Sequence, residues 1–512
     1  MKQHDIDSAR LHRQVRSAWL VGIWAALAVL LAVNLYFHEM WRDELQALGV
    51  ARAASNPVEL LTETIRYEGH PGLYHLVLWA GSRLTDSPNL LKVVNWVFCA
   101  ATMGLLLWRA PFPLWVRMAL CCSYVLLYEF GTISRAYSLA ALLAVGILCL
   151  HPWQRRWKWL AGAGLIFLLC QTSGYGAALA GALVAGMTID HLRTHGYRGL
   201  GRICLLLALA GVSVVLAAAQ AFPPDDRHAV PSASGRNVQT VLRIGGLAAE
   251  TFFPAPAFHV GYWRLNVYNA VAWPWLAILG GLLAGGFWLL WLWRLRKVPA
   301  AMWTLAIGAL LMGSIAFWVL PGDKRHWGHL LLILVAGWWM GKAGGVDPLA
   351  RPGSRRAGLL RGMLLVSLVL QVLAGLSASA LDWFLPFSHS PRAAELIRRH
   401  VPDDAVILAQ HDAFCSPVAM RLDRPMVYLN ASDRPGTWIL WIKGRGDTTD
   451  PDALTAARRW ARSDRAVWLL SSFRLSEKGT EAGWQLEGSA QGPCAVGEEQ
   501  FWLYRLAPGR RE

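Results

Sequence analysis

The 512-residue chain is 55% hydrophobic and only 16% charged, and it carries 28 tryptophans and a formal net charge of +16. Soluble chains hold about 25% charged residues, so this composition excludes a wholly soluble protein and points to a bilayer, where tryptophan collects at the interfaces. The excess arginine falls in short loops between apolar runs, which accounts for the positive charge without a nucleic-acid partner.

Met1 to Arg16 is polar, and the first apolar run lacks a small-residue cleavage site, so residues 1–17 read as a cytoplasmic segment before an uncleaved anchor. Apolar runs then follow at Ala18–Phe37, Val93–Trp108, Leu114–Phe130, Ala136–Leu150, Trp157–Gln171, Gly174–Ile189, Ile203–Phe222, Val271–Trp293, Val298–Leu320, Trp327–Met340 and Gly362–Leu381. A span takes about 20 residues, fewer where flanking side chains snorkel, so residues 18–381 are expected to cross the membrane about eleven times. Two long segments interrupt the pattern. In 38–91, Glu44–Ala53 and Pro57–Tyr67 have apolar residues at helical spacing, and Leu73–Leu84 is apolar enough to lie in the interface. The other, 223–270, is rich in proline, glycine and aromatics and reads as a long functional loop.

From residue 390 the pattern changes to a small α/β domain that runs to residue 512. Arg392–His400 and Asp452–Ala461 read as helices. Ala405–Ala409, Met426–Asn430, Thr437–Lys443, Ala466–Ser471, Trp484–Gly488 and Gln500–Arg505 read as strands. The fold class expected is therefore a polytopic α-helical membrane protein with a C-terminal α/β domain.

Orientation follows from lysine and arginine. With the N-terminus inside, each inner loop is basic: Arg109 and Arg117, then Arg155, Arg156 and Lys158, then Arg193, Arg198 and Arg202, then Arg294, Arg296 and Lys297. An odd number of crossings places the C-terminal domain on the extracytoplasmic side of a plasma (inner) membrane. Of the 8 cysteines, only Cys415 and Cys494 fall in that oxidising compartment, and a disulfide between them is expected.

Charged groups at the outer edge of a membrane are costly unless paired or used. Four sets lie on this one side. They are Asp43 and Glu44 after the first span; Glu68 and His70 in Tyr67-Glu-Gly-His-Pro-Gly-Leu-Tyr74; Glu129, Arg135 and Tyr137 around the third turn; and Lys324, Arg325 and His326 before the tenth span. Interfacial salt bridges, such as Glu129 with Arg135 or Asp323 with Arg325, would explain any one of them. Their convergence suggests a cleft for an anionic lipid-linked donor. Carboxylates can take a proton from an attacking hydroxyl or hold a divalent metal, with Glu44, Glu68 and His70 as possible ligands. Lysine and arginine can hold the departing phosphate.

The Asp-Glu pair after the first span, the His-Pro-Gly-Leu-Tyr segment, Ser134-Arg-Ala-Tyr137 and the Arg-His turn resemble the GT-C glycosyltransferases. The nearest group is the RgtA/B/C/D-like and dolichyl-phosphate-mannose mannosyltransferase-like bacterial proteins. The resemblance implies an inverting transfer from a polyprenyl-phosphate-sugar to a glycan, lipid or protein acceptor on the outer leaflet. In it Asp43 matches the base, Glu44 the neighbouring acid, and Lys324 and Arg325 the phosphate-holding residues, with Arg135 as a further candidate. Glu68, His70, Glu129, Tyr137 and His326 would support them. The chain departs from the family wording at Gly72, where a second proline is common, and offers Glu129 where a second aspartate is usual. The competing class is a transporter or flippase of lipid-linked glycans, which needs polar residues deep in the spans. Only Asn95, Ser213, Gln220 and Gln371 are scattered there, with no inverted repeat.

Overall fold

A computed structural model of the protein describes residues 2–227, 237–258, 261–263, 267–351, 353–439, 441–446, 448, 450–460, 466–477, 483–497 and 499–507. Its first part is helical throughout: α1 (Lys2–Phe37), α2 (Arg42–Ala53), α3 (Pro57–Thr62), α4 (Leu73–Ser82), α5 (Leu90–Arg109), α6 (Leu114–Cys121), α7 (Tyr137–Cys149), α8 (Arg156–Cys170), α9 (Gly174–His195), α10 (Leu200–Ala221), α11 (Val238–Phe252), α12 (Pro274–Leu295), α13 (Pro299–Trp318), α14 (Lys324–Ala343) and α15 (Arg355–Phe384). The second part adds α16 (Ser390–His400), α17 (Asp412–Leu422) and α18 (Asp450–Trp460). Its strands are β1 (Val406–Ala409), β2 (Met426–Tyr428), β3 (Arg434–Gly436), β4 (Val467–Ser471), β5 (Trp484–Ala490) and β6 (Phe501–Leu506).

Among the described residues 6 segments are long and apolar enough to cross a membrane: Ser17–Phe37, Leu90–Arg109, Gly174–Ala221, Pro274–Leu295, Pro299–Trp318 and Arg355–Phe384. Gly174–Ala221 comprises two helices, α9 and α10, joined by a tight turn at Gly196–Gly199. An expectation of eleven crossings needs the shorter apolar helices as well. One of these is Tyr137–Cys149, α7. The longer α14 is buried on every face from His326 to Gly341, so it lies inside the bundle. A helix that is apolar all round belongs in such a place. It packs closely because Gly328 has no side chain: a Cβ there would come 2.7 Å from the Phe130 ring.

Several elements depart from the sequence reading. The helix α17 stands where none was expected, and the run Leu114–Phe130 ends as a helix at Cys121 and continues as a π-helical turn at Tyr124–Glu129. Residues 223–270 hold a full helix, α11, which buries Leu247 and Ala249–Phe252 against α12. Of the expected strand Thr437–Lys443, the described residues 437–439 and 441–443 form an irregular strap instead, and a strand forms just before them, at β3. The sheet order is β3-β2-β1-β4-β6-β5, with β1 parallel to β2 and β4 and the other pairs antiparallel. This is the expected α/β domain.

The domain is docked on one end of the bundle. Arg421 of α17 donates to the Met40 carbonyl at 2.6 Å, Met420 packs among Leu45 and Leu48 of α2, and the Ser388 N–H donates to Glu39 at 3.3 Å. The expected disulfide is absent: both thiols are free and occupy different cores. Cys415 sits between α17 and the sheet and donates to the Leu470 carbonyl at 3.6 Å. Cys494 packs with Trp41, Tyr128 and Phe387 where domain meets bundle and donates to the Gly497 carbonyl at 3.3 Å.

Candidate active site

The chain leaves α1 at Phe37 and re-enters a helix at Arg42, so Asp43 and Glu44 both lie in the first turn of α2. Successive helical residues point about 100° apart, and the two acids accordingly meet different surroundings. Glu44 turns into the core. Its carboxylate accepts the Trp41 N–H at 3.0 Å, the Ser134 N–H at 2.7 Å and His38 Nε2 at 3.0 Å. The other ring nitrogen of His38 lies 2.8 Å from Asp382 on α15. Burial alone would lower the His38 pKa, but Glu44 and Asp382 together raise it to about 10. Burial pushes the Glu44 carboxyl up, and His38 with the two backbone N–H donors more than reverses this, leaving it below its usual value. This buried imidazolium between two carboxylates ties the ends of α1, α2 and α15 to the turn at Ser134.

Asp43 faces the other way. Its carboxylate pairs with Arg325 Nη2 at 2.9 Å and Arg42 Nε at 3.4 Å, and its carbonyl accepts from Arg135. Burial pushes the Asp43 carboxyl up, but Arg325, Arg135 and Arg42 outweigh it and hold the group well below the usual carboxylate range. Arg325 begins α14, where Asp323 is the N-cap and its backbone N–H donates to His326 Nδ1 at 2.9 Å. The guanidinium also lies 5.6 Å from the Trp263 ring centre, and its Nε is buried without a hydrogen-bond partner among the described residues.

Two cavities are lined by the arginines that hold Asp43, although Asp43 itself lines neither. An open one of ≈ 830 Å³ is lined by Trp41, Arg42, Trp263, Glu129, Lys324 and Arg325. A narrower one of ≈ 400 Å³ is lined by Glu68, His70, His75, Arg135, Tyr137 and Thr172. Arg325 belongs to the first and Arg135 to the second, and both bind Asp43. In the open cavity Lys324 pairs with Glu250 of α11 at 2.6 Å. Glu129, delivered by a π-helical turn at Tyr124–Glu129, accepts the Tyr124 hydroxyl at 2.6 Å and leaves its second oxygen buried without a hydrogen-bond partner among the described residues. Such turns recur at functional sites. In the narrow pocket burial raises the Glu68 carboxyl to about 7, against the Gln46 amide that donates to it at 2.6 Å. Burial, then Arg135 and Arg325, lower His70 to about 4.

The structure thus brings Asp43, Arg135 and Arg325 into contact, with Lys324 and Glu129 in one adjoining cavity and Glu68, His70 and Tyr137 in the other. His326 packs between Tyr137 and Tyr175, at 5.6 and 5.0 Å. Neither acid lines a cavity, but Asp43 is held by Arg325 and Arg135, which do, whereas Glu44 is held by His38, Trp41 and Ser134, of which only Trp41 does. The simple salt bridges are not the main partners: Glu129 bonds Tyr124, and Asp323 lies 4.0 Å from Arg325 but 3.3 Å from Arg243. Glu44, Glu68 and His70 do not fit a metal, because the Glu44 oxygens are taken up by His38, Ser134 and Trp41. Among the described residues no group of three or more His, Cys, Asp or Glu is placed to hold one. Sequence reasoning missed His38, Gln46, Glu250, Trp263 and Asp382. Only Asp382 gives a signal, as the one acid in the apolar run of α15.

No family model matches the chain, and no curated protein matches it. The fold does match: against the crystal structure of ArnT from Cupriavidus metallidurans in the apo state the TM-score is 0.53, at 13% identity over 96% of this chain and 99% of that one. The chain has the GT-C fold. The same ArnT bound to undecaprenyl phosphate aligns with a TM-score of 0.45 at 15% identity, over 96% of this chain and all of that one. Arabinosyltransferase EmbB from Mycobacterium smegmatis aligns at 0.34 and 14% identity, over 79% of this chain and 43% of its own. In this fold Asp43 lies at the end of the bundle on which the C-terminal domain is docked.

Proposed function

We propose that the protein is a membrane glycosyltransferase that moves a sugar from a polyprenyl-phosphate donor to a cell-envelope acceptor on the outer face. The observation that carries this reading is the Asp43–Arg325 pair, whose arginine lines the open cavity beside Lys324. The open cavity takes the donor phosphate against Arg325 and Lys324, and the narrow pocket receives the groups beyond Asp43. An acceptor hydroxyl attacks the anomeric carbon, the bond from that carbon to the phosphate oxygen breaks, and the electron pair leaves with the phosphate. The hydroxyl proton passes to Asp43. Without donor, Arg325 keeps Asp43 ionised but weakly basic. A bound phosphate shares Arg325 and raises the basicity of the carboxylate when it is needed.

The topology that suits this chemistry is the one read from the basic loops, with eleven crossings, the N-terminus inside and the C-terminal domain outside. Cysteines placed at the exposed Ser55 and Ser476 should react with an impermeant maleimide in intact spheroplasts. Protection of either would put the site on the wrong side.

Asp43→Asn tests the mechanism: transfer should collapse while sugar-loaded carrier accumulates. One observation favours a second reading, in which Glu68 is the base. Its carboxyl, at about 7, is better matched to neutral pH than Asp43. Asp43→Asn separates the two, since in this second reading it leaves transfer largely intact.

A further inference from the structure

Gln46 of α2 is buried and makes contacts in two directions. Its amide oxygen accepts the Ile439 N–H at 2.7 Å, and its amide nitrogen donates to the Ile439 carbonyl at 3.2 Å and to Glu68 Oε1 at 2.6 Å. One side chain therefore joins a peptide of the C-terminal domain to a carboxyl of the narrow pocket. The Ile439 strap is held at several of its described residues. Trp438 lies on Gly49, where an added Cβ would come 2.7 Å from Trp438 Cβ, and packs with Val50, Leu60 and Ile65. Farther along, the Lys443 N–H donates to the Asp226 carbonyl at 2.6 Å, Ile442 bridges Arg227, and Tyr67 donates to the Asp226 carboxylate at 2.8 Å.

A glutamine amide has one accepting end and one donating end. Because the Ile439 N–H claims the oxygen, the nitrogen must point at Glu68. Without the strap the amide is free to flip and to present an acceptor to the carboxyl instead. We propose that Gln46 is a positioning residue through which the docked C-terminal domain holds Glu68 in the transfer pocket, so that this domain is part of the reaction site. The proposal rests on the reading that the narrow pocket takes part in transfer.

Other charged and titratable groups also face Glu68: Asp43 on α2, Arg135 before α7, Arg227 after α10, and His70, His75 and Tyr137 in the same pocket. Burial and Asp43 favour its neutral form, whereas Gln46, Arg135 and Arg227 favour the carboxylate. Loss of the Gln46 donor therefore shifts Glu68 toward the neutral acid.

The test uses the full-length protein. Hydrogen exchange of residues 437–443 is followed in detergent, and transfer to the endogenous acceptor is followed in spheroplasts across external pH 5–9. Gln46→Met, which keeps volume, should speed exchange at the strap about tenfold and move the acid limb of transfer up by about one pH unit, the equivalent of one charge-assisted hydrogen bond. Gln46→Glu keeps an acceptor for the Ile439 N–H, so exchange should stay slow while the limb still rises, because a second carboxylate faces Glu68. An unmoved limb in Gln46→Met overturns the proposal, whether or not exchange quickens. An acid limb that survives in Glu68→Gln overturns the reading of the pocket itself, and the proposal with it.

Discussion

Arg325→Lys keeps the charge at the centre of the site and removes its geometry. Arg325 reaches Asp43 with Nη2 at 2.9 Å, its buried Nε has no partner among the described residues, and the residue lines the open cavity, so the guanidinium can hold Asp43 with N–H groups to spare for a phosphate. A lysine ammonium at the end of a flexible stem cannot keep both bonds in the same plane. The loss is one hydrogen bond to a charged group, about 1.5–3 kcal/mol, which corresponds to a roughly 10- to 100-fold weaker hold on phosphate. Undecaprenyl phosphate serves as the probe, titrated into the detergent-solubilised protein by calorimetry, with thermal unfolding as the check on folding. A folded Arg325→Lys variant that binds the probe within about threefold of wild type would refute the assignment of Arg325 to the phosphate.

His38→Ala leaves Glu44 and Asp382 buried without their shared cation, and thermal unfolding in detergent should show a loss of about 3–5 kcal/mol. Because the folded His38 pKa is raised from 6.5 to about 10, its contribution is complete below pH 6.5 and fades as pH rises through about 10. The wild type should therefore lose stability over that alkaline window, and the variant should not. Glu68→Gln should abolish any acid limb near pH 7 in the transfer profile measured in spheroplasts, with the wild type losing activity below it. Cys415 and Cys494 should label equally after denaturation with and without reductant, as free thiols do.

The broad fold was legible because it rests on strong local signals. Long apolar runs and basic loops mark the membrane part, and the α/β domain shows in its short alternating elements. The helix α11 was hidden by the proline and aromatic residues around it, and the strap at Trp438–Lys443 by a β-rich run whose backbone is claimed by α2 and by the loop after α10. Asp43 and Arg325 could be picked out because each breaks a rule of membrane composition. The separation of Glu44 from Asp43 was foreseeable from helical geometry, but its partners His38 and Asp382 lie 6 and 338 residues away, and no local pattern joins them. Gln46 was invisible for the same reason: its partners Glu68 and Ile439 lie 22 and 393 residues away, and an isolated glutamine in an amphipathic helix carries no signal.

The central claim is that Asp43 takes the acceptor's proton while Arg325 holds the phosphate. Asp43→Asn preserves shape and removes the base, and a positioned carboxylate contributes about 10²–10⁴-fold. The decisive measurement is sugar transfer in spheroplasts that express this variant in place of the wild type, read by mass spectrometry of envelope glycans and of carrier-linked sugar together. The account predicts transfer reduced at least about 100-fold with loaded carrier accumulating. Near-normal transfer by a correctly folded Asp43→Asn protein would contradict it.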